Sequence, residues 1–317
     1  MINIENKIHS FVSINIKYLA FFSNKNITLN IGSSIFIKTG GNFMKRNGLI
    51  RKGIIVGLLT LLLGISASPL NAEILEKITT PTSLGDILYV GGGGPGNYST
   101  IQEAINNASE GDTVYVFDDS SPYIENVVIN IRINLIGENK ETTVIDGNGS
   151  GNVVYISANE VEITGFTITH GTTGIYLDSS TENVTISRNI ITENDVYGIS
   201  FSGFCERNNI IENIISHNLN GTYFSAGSYN EIYGNTFEEN EWGIQFILWC
   251  NQNRITRNNF IGNTRHVFFF TSSLNIWIFN YWDRPRILPK PLFGMMGIIP
   301  WIKFDWRPLL TPYVIPD

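Results

Sequence analysis

The feature that most limits what this chain can fold into is the return of asparagine at a nearly constant interval. Asn189, Asn213, Asn235, Asn258 and Asn280 form one series. Asn194, Asn218, Asn240 and Asn263 form a second, five residues further on, and Asn208, Asn230, Asn253 and Asn275 a third. Gly174, Gly198, Gly221 and Gly243 open successive lines at the same spacing of 22 to 24 residues. A fixed period of this size is the signature of a solenoid. Within each line lie two or three short runs such as "GIYL", "VTIS" and "NIIT", divided by Gly, Ser or Asn. Runs of this length rich in β-branched residues suit strands and are too short for helices.

Three strands and three turns per period describe one coil of a parallel β-helix, with strands pairing between coils about 4.8 Å apart. Residues one period apart then stack, and stacked asparagines bond to one another and to the turn backbone. Asn also tolerates the left-handed conformation of a sharp corner. A leucine-rich repeat has a similar period but needs L-x-x-L-x-L and a helical segment in each repeat. Leucine is sparse here and no line holds a helical stretch. The expected fold class is all-β: a right-handed, single-stranded parallel β-helix over 86–283, with regular coils over 151–283.

The ends differ from the repeat. Over 98–109 the sequence "NYSTIQEAINNA" predicts a short amphipathic helix. Ile101, Ala104, Ile105 and Ala108 recur at helical spacing, and Ser99 with Gln102 reads as a capping box. Such a helix would cover the open first coil. After Tyr281 come seven prolines and Trp282, Trp301 and Trp306. Proline lacks the ladder donor, so 284–317 is expected to end the pairing and lie over the last coil as an aromatic lid. The alternative is an anchor on a membrane surface. Upstream, 44–72 carries Lys45, Arg46, Arg51 and Lys52, then an apolar run from Gly53 to Ile65 and small residues to Ala72. This reads as an export signal, with an uncleaved anchor as the alternative. Met44 is expected to be the start, 1–43 an artefact or disordered extension, and 73–85 a linker.

The net charge of −7 and the lack of a Lys/Arg stripe exclude a nucleic-acid partner. Glu193, His217 and Glu239 each precede an Asn of the second series on successive coils. If all three point outward they form a row with neighbours about 5 Å apart. Such a row suits acid–base sugar cleavage, or a metal beside the His217 imidazole; the plain alternative is a solvated polar corner. His170, His217 and His266 are read as falling on different columns. Cys205 and Cys250 are read as one column with Ser228 between them, too far apart to bridge, and so as free thiols. Trp242 and Trp249 suit sugar stacking if they face outward.

The opening "ILYVGGGGPGNYSTIQEAINNASEGDTVYV", the "GIxL…NxIxxN" lines and "NYWD" at 280–283 together resemble secreted prokaryotic β-helix proteins. They resemble in particular the NosD-type periplasmic copper-binding family and its carbohydrate-binding, sugar-hydrolase-like relatives. The acidic, glycine-rich stretch that follows "NYWD" in many relatives is replaced here by the Pro/Trp tail. The resemblance implies an extracytoplasmic location and, for copper alone, a possible cofactor. The leading expectation is a non-enzymatic exported scaffold that binds a polysaccharide or a cell-envelope protein. Alternatives are a polysaccharide lyase or hydrolase acting through outward carboxylates, and a copper-handling protein. Membrane contact is expected only through the signal or the C-terminal tail.

Overall fold

Each coil lays one strand into each of three parallel sheets. Glu162–Thr164 lies in the first, Thr167–Thr169 in the second and Thr173–Leu177 in the third, before Thr185–Ser187 returns to the first. The computed structural model describes residues 85–315, together with the backbone of Thr28–Ile31 and Ile35–Lys38, which pair antiparallel. The expected export signal at 44–72, the linker up to residue 84 and the rest of 1–43 lie outside the described residues. The chain is a parallel β-solenoid of the kind the period predicts.

Register makes the core. Ile163, Ile186, Ile210, Ile232 and Ile255 stack through the first sheet. Ile168, Ile191, Ile215, Phe237, Phe260 and Trp282 stack through the second. Leu177, Phe201, Phe224, Phe246 and Phe269 stack through the third. All of these are buried. Inward aromatics lie ring on ring: centroids are 4.1 Å apart for Phe201 and Phe224 and 4.3 Å for Phe260 and Trp282.

The asparagines form the corners, in a way that differs from the expectation in one respect. Asn235 accepts from the amide and Nδ2 of Asn213 and donates its own amide and Nδ2 to Asn258 Oδ1, all at 2.9–3.0 Å. Its Nδ2 also reaches back to the Ile210 carbonyl at 2.8 Å. The second and third series repeat this pattern. The ladder asparagines are not themselves left-handed. The positive φ belongs to the residue before each: Arg188, Glu212, Gly234 and Arg257 on the first ladder, Glu193, His217, Glu239 and Gly262 on the second. One left-handed residue turns the chain sharply enough to bring the next side chain inward, at a cost of about 1 kcal/mol where it is not glycine.

Helix Ile101–Asn107 buries Ile101, Ala104 and Ile105 against Ile87–Val90, Thr113–Val116 and Val127–Ile129. Its cap lies one residue later than expected. Thr100 is the N-cap and accepts from the Glu103 amide at 3.1 Å, so the capping pair is Thr100 and Glu103, not Ser99 and Gln102. The column of small residues also needs correction. Asn208, Asn230, Asn253 and Asn275 donate to the carbonyls of Thr181, Cys205, Gly227 and Cys250. Gly227, not Ser228, therefore stands between the cysteines, because the loops at this corner vary in length. Both thiols are buried and free.

The tail departs most from the reading of its prolines, since it continues the third sheet. Lys290–Met296 pairs parallel to Arg265–Phe270 at Phe269↔Gly294 and Phe270↔Met295, and Ile299–Asp305 folds back on it as an antiparallel hairpin. Pro291 falls outside the two positions paired to the coil, and Pro300 lies on the outermost strand, so neither removes a coil-to-coil bond. Gly294 sits so close to the Phe269 carbonyl that a Cβ would collide with it. The tail also ends the first ladder. Asp305 is fully buried, and its Oδ2 accepts from the Asn280 amide, Asn280 Nδ2 and Trp282 Nε1 at 3.0–3.1 Å.

Two outcomes follow. Asn235→Ala orphans buried donors on Asn213 and a carbonyl acceptor at Ile210, and should cost at least about 3 kcal/mol in urea unfolding. Burial pushes the Asp305 carboxyl up, against hydrogen bonds from Asn280 and Trp282 that pull it down. Since its folded pKa is raised, its stabilising contribution is present below the ordinary carboxylate range and is lost as pH rises through the raised value. Asp305→Asn keeps an acceptor for Asn280 without the charge but sets an amide donor against the Arg307 amide, so its melting temperature relative to wild type should be lower at pH 4 and should rise in its favour by pH 7.

Candidate functional site

The second ladder forms the corner between the second and third sheets. Each coil contributes three residues there: a left-handed outward residue, the inward Asn, and a second outward residue. The coils read Glu193-Asn194-Asp195, His217-Asn218-Leu219 and Glu239-Asn240-Glu241. Because the left-handed residue points away from the core, Glu193, His217 and Glu239 are 61%, 54% and 61% exposed. Together with Asp195, Leu219 and Glu241 they line a shallow open trough of about 580 Å³.

The three predicted site residues therefore share one surface, but their row is longer than the sequence reading had it. His170 occupies the same position one coil before Glu193, so His170 and His217 fall on one column, and His266 lies elsewhere. His170 Nδ1 lies 2.9 Å from Asp146 Oδ2, and its Nε2 is 3.2 Å from Glu193 Oε2. His217 Nε2 lies 2.9 Å from Glu239 Oε2. From Asp146 to Glu239 the row alternates carboxylate and imidazole. The repeat hides His170 because Gly171 stands where later coils have the ladder Asn; its amide still donates to Asn194 Oδ1 at 3.0 Å. Counting back 23 residues from Glu193 would have found it.

The hydrogen bond to Asp146 holds the His170 imidazole above its ordinary value, helped by Glu193 and opposed by slight burial. Burial alone would raise Asp146, but bonds from His170 and the Asn148 amide take it below the usual carboxylate value. His266 behaves in the opposite way. It is mostly buried beside Phe260 and Trp282, and burial lowers its pKa although Asp283 Oδ2 lies 2.8 Å from Nε2.

The trough borders an aromatic face. Tyr197, Asn220 and Trp242 open the strands that follow Asp195, Leu219 and Glu241. The outer surface of the third sheet carries Tyr155 stacked on Tyr176 at 5.7 Å, Tyr197 against Tyr223 at 5.0 Å, and Trp242 against Phe268 at 5.6 Å. All six residues are half-buried. Arg265 pairs with Glu241 at 3.1 Å and lies 4.6 Å over the Trp242 ring. Trp249, 59% exposed, sits on the corner between the third and first sheets.

Copper calls for several imidazole, thiolate or thioether donors on one centre. His170 and His217 stand two coils apart, about 10 Å, and each is engaged by carboxylates. Cys205 and Cys250 are buried at a different corner. Among the described residues no group of three or more His, Cys, Asp or Glu converges as a metal site. His217, the residue proposed from sequence as a ligand, has one carboxylate partner, so the donor set does not fit a copper centre.

The coil geometry and the ladders together define a parallel β-solenoid with asparagine corners. Residues 96–289 match the family described as periplasmic copper-binding protein (NosD), and the chain belongs to that family. Among solved structures, it is similar to an alginate lyase from Paenibacillus sp. str. FPU-7, with 16% identity, 57% of this chain and 73% of that one covered, and a TM-score of 0.48. It is also similar to the Dettilon tailspike protein, with 14% identity, 64% and 52% covered, and a TM-score of 0.43. No curated protein matches the chain.

In an NMR titration His170 should protonate at a higher pH than an ordinary imidazole, and Asp146→Asn should move its midpoint down. The stabilisation carried by its protonated form is present below the ordinary imidazole pKa and lost as pH rises through the raised one.

Proposed function

We propose that the protein is an exported, non-enzymatic scaffold that binds a neutral glycan along the trough and the aromatic face beside it. The observation that carries this reading is their continuity: Leu219 and Glu241 adjoin Asn220 and Trp242, and Asp195 is one residue from Tyr197. Half-buried rings offer flat apolar platforms to sugar faces, and carboxylates and imidazoles bond to sugar hydroxyls. The open shape suits a chain laid along the solenoid more than a small molecule enclosed by it. Charge selects the class of sugar. Glu193, Asp195, Glu239 and Glu241 surround one imidazole, and Arg265 is already paired, so the trough repels an acidic polysaccharide.

The cleavage reading has less support. Glu193 and Glu239 are two coils apart, about 10 Å by strand spacing, near the upper end of the separation used in inverting hydrolysis. Each lies against an imidazole, and the trough has none of the enclosure that excludes water from such chemistry. The periplasmic character of the family supports export to a periplasm-like space, and its copper-binding members raise copper handling as a second reading, which the donor set does not favour.

A screen of neutral oligosaccharides tests the proposal. Tyr223→Ala with Trp242→Ala should weaken binding about tenfold, from loss of ring-to-sugar stacking worth roughly 0.5–1.5 kcal/mol per ring. Glu193→Gln with Glu239→Gln should leave any release of reducing ends at background. Release by the wild type that this pair abolishes would make the protein a hydrolase, and one firmly held copper ion per purified chain would restore the metal reading.

A further inference from the structure

The C-terminal hairpin is built unlike the rest of the molecule. From Gly294 to Ile302 it carries no charge: the sequence is Gly-Met-Met-Gly-Ile-Ile-Pro-Trp-Ile. Ile298 at the turn is 92% exposed, and Phe293, Ile299, Trp301 and Ile302 are all exposed beside it. The base is cationic. Arg284, Arg286, Lys290, Lys303 and Arg307 lie within 24 residues, and between 284 and 307 the one acidic residue is the buried Asp305. Arg284 and Arg307 are exposed, and among the described residues none of the five makes an ion pair. This concentration stands in a chain whose net charge is −7.

The inner part of the hairpin closes the solenoid. Leu292 is buried, and Lys290 and Lys303 lie 5.8 Å over the Trp282 and Phe269 rings. The tip does not take part in that closure. It runs out over the corner at Thr271, where Gly297 donates to Thr271 Oγ1 at 3.2 Å and the Trp249 amide donates to the Thr271 carbonyl at 2.9 Å. The exposed Trp249 and Leu274 thus lie at the same corner as the tip. An exposed apolar surface of this extent marks a docking site.

The distribution of charge identifies the occupant. An uncharged tip, Trp on its flank and arginines at its base match the order of layers in a bilayer face: acyl boundary, aromatic interface, anionic headgroups. A second copy added along the outer strand fits less well, because Pro300 and Lys303 on Ile299–Asp305 obstruct edge pairing. We propose that this hairpin docks the protein on an anionic lipid surface, its tip in the acyl boundary and its arginines among the headgroups. The glycan trough lies at a different corner of the coil, so either assignment can fail without the other.

The test uses the full chain with Ile298→Cys carrying an environment-sensitive fluorophore. Cys205 and Cys250 are buried, so the label goes to the tip, and the readout reports the tip whatever other segment touches lipid. Vesicles of phosphatidylcholine with phosphatidylglycerol should shift the emission to the blue, and nitroxide-labelled acyl chains should quench it. Arg284→Gln with Arg307→Gln should weaken vesicle affinity on the order of thirtyfold, from two surface charges. A label at Glu141→Cys, exposed in the opening coils, should not respond. A silent tip label overturns the proposal, as does an equal response to pure phosphatidylcholine. An emission change that tracks protein concentration without vesicles also overturns it, and assigns the hairpin to a second copy.

Discussion

A buried amide side chain satisfied by the next coil is the interaction on which the rest of the structure depends. Asn189, Asn213, Asn235, Asn258 and Asn280 each stand at a turn whose own amide finds its acceptor only beyond its own coil, on the next Asn or, for Asn280, on Asp305. Orphaned in the interior, such groups cost roughly 1–3 kcal/mol each. No coil can therefore form alone, and each depends on its neighbour for both its strand hydrogen bonds and its corners. The last coil would violate this rule if the tail did not return Asp305 to Asn280 and Trp282. A carboxylate there gives an acceptor without asking for a further donor, which is what the end of a one-directional ladder requires.

The same corners create the surface. A left-handed residue before each ladder Asn sends one side chain out as the next turns in, so every inner ladder has an outer row one residue away. The two rows nearest the second sheet are used differently. On the first ladder, Glu212 is buried under Arg188 and the strap that carries Tyr313, whose ring sits over Gly234. On the second, His170, Glu193, His217 and Glu239 remain open to water. Identical local geometry thus yields one corner that is covered at Glu212 and Gly234 and one that stays open, and the open one borders the aromatic sheet face.

Charge is arranged with comparable contrast. The trough gathers carboxylates around imidazoles, while the hairpin at the far end of the sheet gathers arginines below an uncharged tip. Membership of a family described as copper-binding does not by itself provide a copper centre, because ligands must converge and a solenoid spaces a repeated ligand by the rise of a coil. Two histidines on one column two coils apart can act along a surface more readily than on a single ion.

The period by itself determined the solenoid. When three short strands recur every 22 to 24 residues, only stacking gives their backbones partners, so the fold, the stacked Ile and Phe columns and the three ladders were all legible. The row through Glu193, His217 and Glu239 was legible for the same reason, and His170 was missed only where Gly171 interrupts the marker. Tertiary structure decided what lies beyond the period. Which residue takes the left-handed turn depends on how the Asn side chain reaches the next coil. Proline in the tail proved compatible with pairing because a donor matters only where a partner strand lies alongside. Asp305 closing the ladder, the Tyr313 strap over one corner and the free hairpin tip are contacts between segments far apart in the chain. No local pattern encodes them, because their energy exists only once the coils beneath them are stacked.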